Sequence, residues 1–221
     1  RKKNFVGAFA PPFAVVNDFS FLDTLPDVHL RNGYIEAIKV ALIRDSAFFD
    51  WIEENTDALN AFDRRTMEEL IQRCAEHHVA HIATSGDPFE MGSVRPLDFG
   101  HWAAHKLEQL SGFALSHGEA VAIGIAIDTL YSEEMGYLNA NSAERILGLL
   151  TNLKFEIYSE HLERKNGSRF PYVLEGLEEF REHLGGLLTI TLLKCVGSRF
   201  EVHEMDTDVV LRSLERLRKI G

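Results

Sequence analysis

Apolar positions along the chain set the first expectations. Ile35, Ile38 and Leu42 recur at helical spacing after Asp27, and Asp45-Ser46 breaks the run, so the stretch between reads as a helix. Phe48, Phe49, Ile52 and Leu59 predict another. Thr66-Met67-Glu68-Glu69 has the spacing of a capping box, in which Thr66 accepts from the Glu69 N–H and Glu69 bonds back. The helix it starts turns Leu70, Ile71 and Cys74 inward. Ser85-Gly86-Asp87-Pro88 marks a loop. Residues 99–110 read as helix. Residues 118–135 form a helix so continuously apolar that burial on most sides is expected, ended by Gly136. Asn141-Ser142 caps the next helix, with Ile146, Leu149, Leu150 and Leu153 inside. Residues 159–170 are polar, with a turn at 165–168.

Two places read as extended. Ala14-Val15-Val16, after Pro11-Pro12, is an isolated strand or extended segment. Near the end, Leu188, Ile190 and Leu192 alternate with Thr189 and Thr191; after Gly197-Ser198, Phe200 and Val202 alternate with Glu201 and His203. That is a hairpin pattern. Asp206 then caps a last helix with Val210, Leu214 and Leu217 on one face. The expected fold is mainly α: one multi-helical domain over residues 1–221, with a short N-terminal extended segment and a C-terminal β-hairpin at about 187–203.

Composition narrows the partners. With 221 residues and 45% hydrophobic content the chain can bury a core. Asp and Glu number 34 against 23 Lys and Arg, for a net charge of −11 with no basic stripe, which argues against nucleic acid. An anionic substrate therefore needs a few local cations. Cys74 and Cys195 form no CxxC and no disulfide framework, which fits a reducing cytoplasm. No transmembrane run or signal peptide is present. The opening Arg1-Lys2-Lys3-Asn4, without an initiator Met, suggests a piece cut from a longer protein.

The candidate chemistry is a metal site. His101 and His105 share a helix face, one turn apart. Trp102 stands where an HExxH metalloprotease places its general-base Glu, so that chemistry is excluded. His117 sits beside Gly118 at the start of the buried helix, where an unbonded imidazole is costly. Glu36 lies among Ile35, Ala37, Ile38, Val40 and Ala41, which leave it little polar surface. A Glu and two His suit zinc with an open fourth position, as in a catalytic site. The competing reading of Glu36 is a surface ion pair with Lys39 at i,i+3. A second cluster, His77, His78 and His81, reads as a solvated helix face rather than a metal site. Gly100 and Gly118-Glu119 form neither a P-loop nor a GxGxxG, and no GxSxG elbow is present.

Five blocks in order give the chain a resemblance to the C-terminal domain of 3-dehydroquinate synthases and their sister sugar-phosphate cyclases. Lys3-Asn4-Phe5-Val6-Gly7-Ala8-Phe9 resembles the family's GKN-x-x-GAF segment, and Phe21-Leu22-Asp23-Thr24-Leu25-Pro26 its L-x-TLP segment. Arg31 to Lys39 resembles the G-x-AE-x-IK helix, Asp98 to His105 the NFGH-x-x-GH block, and His117 to Val121 the HGEAV block. The resemblance implies zinc ligands at Glu36, His101 and His117, with Co2+ or Fe2+ as alternatives. It implies catalytic roles for Lys39 and His105 and substrate contacts from Lys3, Asn4, Arg95 and Asp98. Phe21, Thr24 and Leu25 would lie near a nicotinamide. The implied reaction uses NAD to oxidise a sugar-phosphate hydroxyl transiently, eliminates phosphate, reduces the ketone again and closes a carbocycle by an aldol step.

Departures from the family pattern point to a sister branch. Asp98 replaces Asn, Val94 holds the place of an Arg with Arg95 one step away, and His78 stands near an expected Lys. His29 replaces a cofactor-side Glu, and Arg181-Glu182 lies where a Lys pair is usual. Arg95 to His101 resembles the block of cyclases acting on seven-carbon sugar phosphates, although His105 is kept where those lose it. Family members carry an N-terminal NAD-binding α/β domain, absent from this chain, so the chain by itself is expected to be inactive. Homodimers are common in the family. The alternatives are the second domain of an iron-dependent alcohol dehydrogenase, which would perform simple hydride transfer, and a non-catalytic helical metal-binding module.

Overall fold

A computed structural model describes residues 13–85, 96–165, 167, 170–183 and 185–221. Residues 13–18 take no helix or strand, so the extended N-terminal reading holds without a partner strand. The Asp18 carboxylate accepts from the Ser20 N–H at 2.9 Å and opens a 3-10 turn over Phe19–Thr24. Helix α1 follows over Asp27–Arg44. Asp45 ends it and caps α2 (Ser46–Glu54) by accepting from the Phe48 N–H. The helix expected through Leu59 is broken at Asn55 and resumes as α3 (Thr56–Asn60).

Helix α4 spans Arg64–Ser85, three residues earlier than the Thr66 capping box requires. Asp63 is the cap instead: its carboxylate takes both the Thr66 N–H and the Thr66 hydroxyl. A carboxylate one residue outside the helix outcompetes a hydroxyl within it, since it also offsets the N-terminal partial charge. The loop read at Gly86-Asp87-Pro88 lies outside the described residues. Helix α5 runs over His101–Leu110 and α6 over His117–Glu134.

Helix α6 is the spine of the molecule. Every residue from Ala120 to Ser132 is buried, and α1, α5, α7 (Ala140–Asn152), α9 (Thr207–Ile220) and β1 (Ile190–Cys195) pack around it. Its end is as expected, with Gly136 left-handed at φ +72°. Helix α7 is capped by Asn139, whose carbonyl accepts from the Ser142 N–H, and not by Asn141-Ser142, which lie inside it. The polar stretch after it holds a 3-10 turn at Glu160–Glu163, and a left-handed Gly167 at φ +64° falls within the expected turn.

Helix α8 (Glu175–His183) had no counterpart in the sequence reading. The hairpin pairs β1 with β2 (Ser198–Val202) antiparallel, Ile190 facing Val202 and Leu192 facing Phe200. Alternation predicted one wet face, but Ile190 to Leu193 are all buried, because α1 and α6 also pack against the hairpin. Asp206 caps α9 as expected, accepting from the Asp208 and Val209 N–H groups. Among the described residues, no helix is long and apolar enough to cross a membrane.

Candidate metal centre

Three helices supply the centre: α1 carries Glu36 and Lys39, α5 begins at His101, and α6 begins at His117. Two close approaches bring them together. Gly100 is left-handed at φ +79°, and a Cβ built on Gly124 would lie 1.9 Å from the Gly100 carbonyl oxygen. Only glycine at both positions lets the start of α5 lie against α6. A Cβ on Gly118 would likewise meet Asn32 of α1 at 2.7 Å, and Asn32 Nδ2 donates to Ser116 Oγ at 2.8 Å. Ser116 and Glu119 form a capping box on α6 and fix His117 in the first turn.

Asp128 of α6 anchors the other side. It is fully buried and accepts from the Gly100 N–H at 3.0 Å and from Trp102 Nε1 at 2.8 Å. Those two bonds hold the residues on either side of His101. Burial pushes the Asp128 carboxyl up to about 7, although the Trp102 and Gly100 bonds oppose the rise.

One ligand atom from each of Glu36, His101 and His117 lies within 4.8 Å of the others. Glu36 Oε1 and His117 Nε2 are 3.8 Å apart, too far for a hydrogen bond. Glu36 Oε1 is buried and has no hydrogen-bond partner, while Oε2 meets Lys39 Nζ at 2.5 Å. The expected Glu36–Lys39 ion pair therefore exists, and it engages only one carboxylate oxygen. His101 Nδ1 faces the Phe99 carbonyl at 3.0 Å, so it carries the proton and Nε2 keeps its lone pair. Burial, then the Lys39 charge and the neighbouring His105 and His117, push the His101 pKa down to about 2 against the opposing Phe99 bond. The ring is neutral, the form that ligates a metal.

His117 Nδ1 lies 3.4 Å from Glu108 Oε2, a carboxylate-histidine arrangement of the kind that orients metal ligands. His105, Glu108 and His117 also converge within 4.8 Å. An orphaned buried carboxylate oxygen beside the neutral His101 imidazole and the Nε2 of His117 fits a divalent cation, and the oxygen and nitrogen donors suit zinc.

Lys39 is buried at the cleft. His105 is exposed, its ring edge-on to His101 at 5.5 Å and stacked on His117 at 6.2 Å. Asp98 ends a 3-10 turn, Pro96–Asp98, and its neighbour Leu97 lines the cleft with Glu36 and Lys39. Lys3, Asn4 and Arg95 lie outside the described residues. Leu25 borders an apolar cavity of about 330 Å³ between the first 3-10 turn, α1 and α4, together with His29, Cys74 and His78. Phe21 is 70% exposed, and the Thr24 hydroxyl donates to the Phe21 carbonyl.

His77 and His81 differ from the solvated face expected of them. His77 Nε2 meets Asp45 Oδ2 at 3.0 Å, His81 Nδ1 accepts from Arg44 at 2.6 Å, and all three histidines line the cleft. They join neither convergent donor group found among the described residues. Sequence reasoning also missed Glu108 and Asp128. Glu108 stands three residues after His105 on the same face, and Asp128 is the one acid inside the apolar α6 run.

Comparison with known proteins follows the same lines. The family model described as 3-dehydroquinate synthase C-terminal matches residues 33–170. The chain is 36% identical over 202 residues to a 3-dehydroquinate synthase of Nitrosospira multiformis, covering 91% of this chain and 53% of the relative. It is 33% identical over 218 residues to that of Xylella fastidiosa, covering 96% and 57%. The chain thus spans about half the length of the curated relatives it matches. The fold is similar to the 2-epi-5-epi-valiolone synthase ValA of Streptomyces hygroscopicus subsp. jinggangensis, solved with NAD+ and Zn2+, at TM-score 0.86, 23% identity, and 99% coverage of this chain against 59% of that one. A 2-deoxy-scyllo-inosose synthase with carbaglucose-6-phosphate, NAD+ and Co2+ superposes at TM-score 0.71 with 19% identity, covering 98% and 59%.

Proposed function

Because the chain belongs to the 3-dehydroquinate synthase C-terminal family, we propose that it is the metal- and substrate-binding half of an NAD- and zinc-dependent sugar-phosphate cyclase. The observation that carries this reading is the convergence of Glu36 Oε1, which lacks a hydrogen-bond partner, with the imidazoles of His101 and His117. A divalent ion held by those three residues supplies Lewis-acid charge to a substrate hydroxyl or carbonyl oxygen. NAD, when bound, would supply the hydride acceptor for a transient oxidation that makes the adjacent C–H acidic enough for phosphate to leave; its pyrophosphate would be held by residues outside this chain.

The roles of this chain's own residues follow from their places. Lys39 Nζ is a fixed, buried positive charge beside Glu36, placed to stabilise a developing oxyanion. The exposed His105 imidazole, against the rings of His101 and His117, can take a proton from substrate. Asp98 and, outside the described residues, Lys3, Asn4 and Arg95 are proposed substrate contacts. Leu25 at the apolar cavity, with Phe21 and Thr24 beside it, would meet one edge of the nicotinamide. The changes at Asp98, His29 and His78 favour a sugar phosphate other than that of the 3-dehydroquinate synthases, with a seven-carbon sugar phosphate the first candidate. The family match favours this cyclase over the iron-dependent alcohol dehydrogenase reading. Two free thiols, Cys74 and Cys195, support a cytoplasmic setting.

The test uses the protein in which this chain is joined to an NAD-binding domain. With zinc, NAD and a seven-carbon sugar phosphate, inorganic phosphate should be released with no accumulation of NADH. Steady NADH production without phosphate release would make the protein a simple dehydrogenase. In that protein Lys39→Ala should slow phosphate release by about 10² or more, as for loss of one oxyanion-stabilising donor. Near-normal release would remove Lys39 from the chemistry.

A further inference from the structure

Metal-ligating donors are duplicated about His117. One group is Glu36, His101 and His117; the other is His105, Glu108 and His117, and in each group one atom per residue lies within 4.8 Å of the others. Each offers one carboxylate and two imidazoles, a donor set that suits zinc. His105 and Glu108 stand three residues apart on α5, so both reach the same side of the helix. His117 meets them from the start of α6, its ring stacked on that of His105.

His117 turns a different nitrogen to each group. Nε2 faces Glu36 Oε1 at 3.8 Å, and Nδ1 faces Glu108 Oε2 at 3.4 Å. Zinc bonds of about 2.0–2.2 Å at tetrahedral angles set ligand atoms about 3.3–3.6 Å apart, so Glu108 and His117 already have the spacing of two ligands. The Glu108 side chain is only 10% exposed, and its attraction for a cation is stronger where water is scarce. A neutral imidazole has one lone pair, because its other nitrogen carries the proton. His117 therefore serves one ion at a time, through Nε2 in the first group or through Nδ1 in the second.

We propose that His105, Glu108 and His117 form a second divalent-cation position, exclusive of the first and exchanging the same ion with it. As the ion moves from Nε2 to Nδ1 of His117, the ring proton moves from Nδ1 to Nε2. The second position stands on its own three residues, whereas its relation to the first rests on the function proposed above. It is the weaker of the two, because His105 is exposed while His101 is buried and held by the Phe99 carbonyl. An ion there occupies the lone pair with which His105 would take a proton from substrate. The second position is thus an idle one, and Glu36 with His101 keeps the ion where it acts.

The experiment titrates zinc into the metal-free chain by calorimetry and follows the ring nitrogen resonances of His117 by NMR. The parent chain should bind zinc through His117 Nε2. Glu36→Gln should bind it through Nδ1, at least about tenfold more weakly, and release it on dialysis. Adding Glu108→Gln or His105→Ala to Glu36→Gln should weaken binding at least about tenfold further, the least that loss of even an outer-shell partner costs. His101→Ala takes the place of Glu36→Gln should the latter lose helicity. His105→Ala alone should leave the parent affinity within about threefold; a larger loss would make His105 a ligand of the first position and overturn the separation of the two. Absence of zinc binding in Glu36→Gln, ligation there through Nε2, or binding there unmoved by both added changes overturns the second position. A parent chain that binds zinc through Nδ1, or whose affinity Glu36→Gln leaves unchanged, overturns the first position instead.

Discussion

Glu36 Oε1 is buried without a hydrogen-bond partner, which costs roughly 1–3 kcal/mol for a neutral group and more for a charged one. Such an atom is retained where a ligand offsets the cost, and the neutral His101 imidazole and the His117 ring beside it suit a cation in that place under the function proposed above. Asp128 is a different case, a buried carboxyl whose partners are all within the chain. Its pKa rises from 3.8 to about 7, so between those values the folded protein holds a proton that the unfolded chain has released. The stability it contributes is complete below pH 3.8 and is lost as pH rises through about 7. Asp128→Asn turns an amide donor toward one of its two N–H partners and should cost about 1–3 kcal/mol at pH 5. Urea unfolding should show that gap narrowing by pH 8; a gap that is constant or widens would show that Asp128 is not the titrating group. Glu36 was legible in the sequence because its neighbours are apolar. Glu108 was not, because its partner His117 lies across a loop and its burial comes from packing between helices.

At the scale of elements, the centre depends on how closely α5 can lie on α6. Gly124→Ala would place a Cβ 1.9 Å from the Gly100 oxygen and push His101 away from His117. It should destabilise the chain by about 1–3 kcal/mol, the usual cost of overpacking, and reduce metal affinity. Gly148 of α7 offers the control, since its Cβ would meet nothing within 4 Å. Gly148→Ala should stabilise by about 0.5–1 kcal/mol and leave metal binding unchanged. Thermal melts with metal titration distinguish these outcomes, and equal effects from the two variants would contradict the close-approach account. The strongly periodic helices were legible from their apolar spacing, and so was the Asp206 cap. The caps of α4 and α7 were misplaced because Asp63 and Asn139 compete with neighbouring Thr66 and Asn141 for the same role. Helix α8 escaped because it is mostly charged and is held through Gly176, packed on Trp102, and Lys106, paired with Glu175 and Glu179.

For the whole molecule, the described residues share one hydrophobic core that joins α1, α5, α6 and α9 with the hairpin. That core supports folding of this chain by itself, with a circular dichroism spectrum dominated by helix. Function is a separate matter. Leu25 is proposed to border a nicotinamide, but among the described residues no glycine-rich turn follows a strand to grip a pyrophosphate. Calorimetry should therefore show no micromolar affinity of this chain for NAD, and micromolar binding would contradict the division of labour proposed here. The order of the five sequence blocks was enough to indicate the family. The convergence of the middle of α1 with the starts of α5 and α6 depended on contacts between residues far apart in sequence and could not be read along the chain.

The central claim is that Glu36, His101 and His117 hold one divalent ion. The direct measurement is metal content, by elemental analysis, of the chain refolded with zinc and dialysed against metal-free buffer, beside Glu36→Gln and His101→Ala of equal helicity. The parent chain should retain close to one equivalent of zinc, and each variant should lose most of it. Equal zinc content in all three would contradict the account.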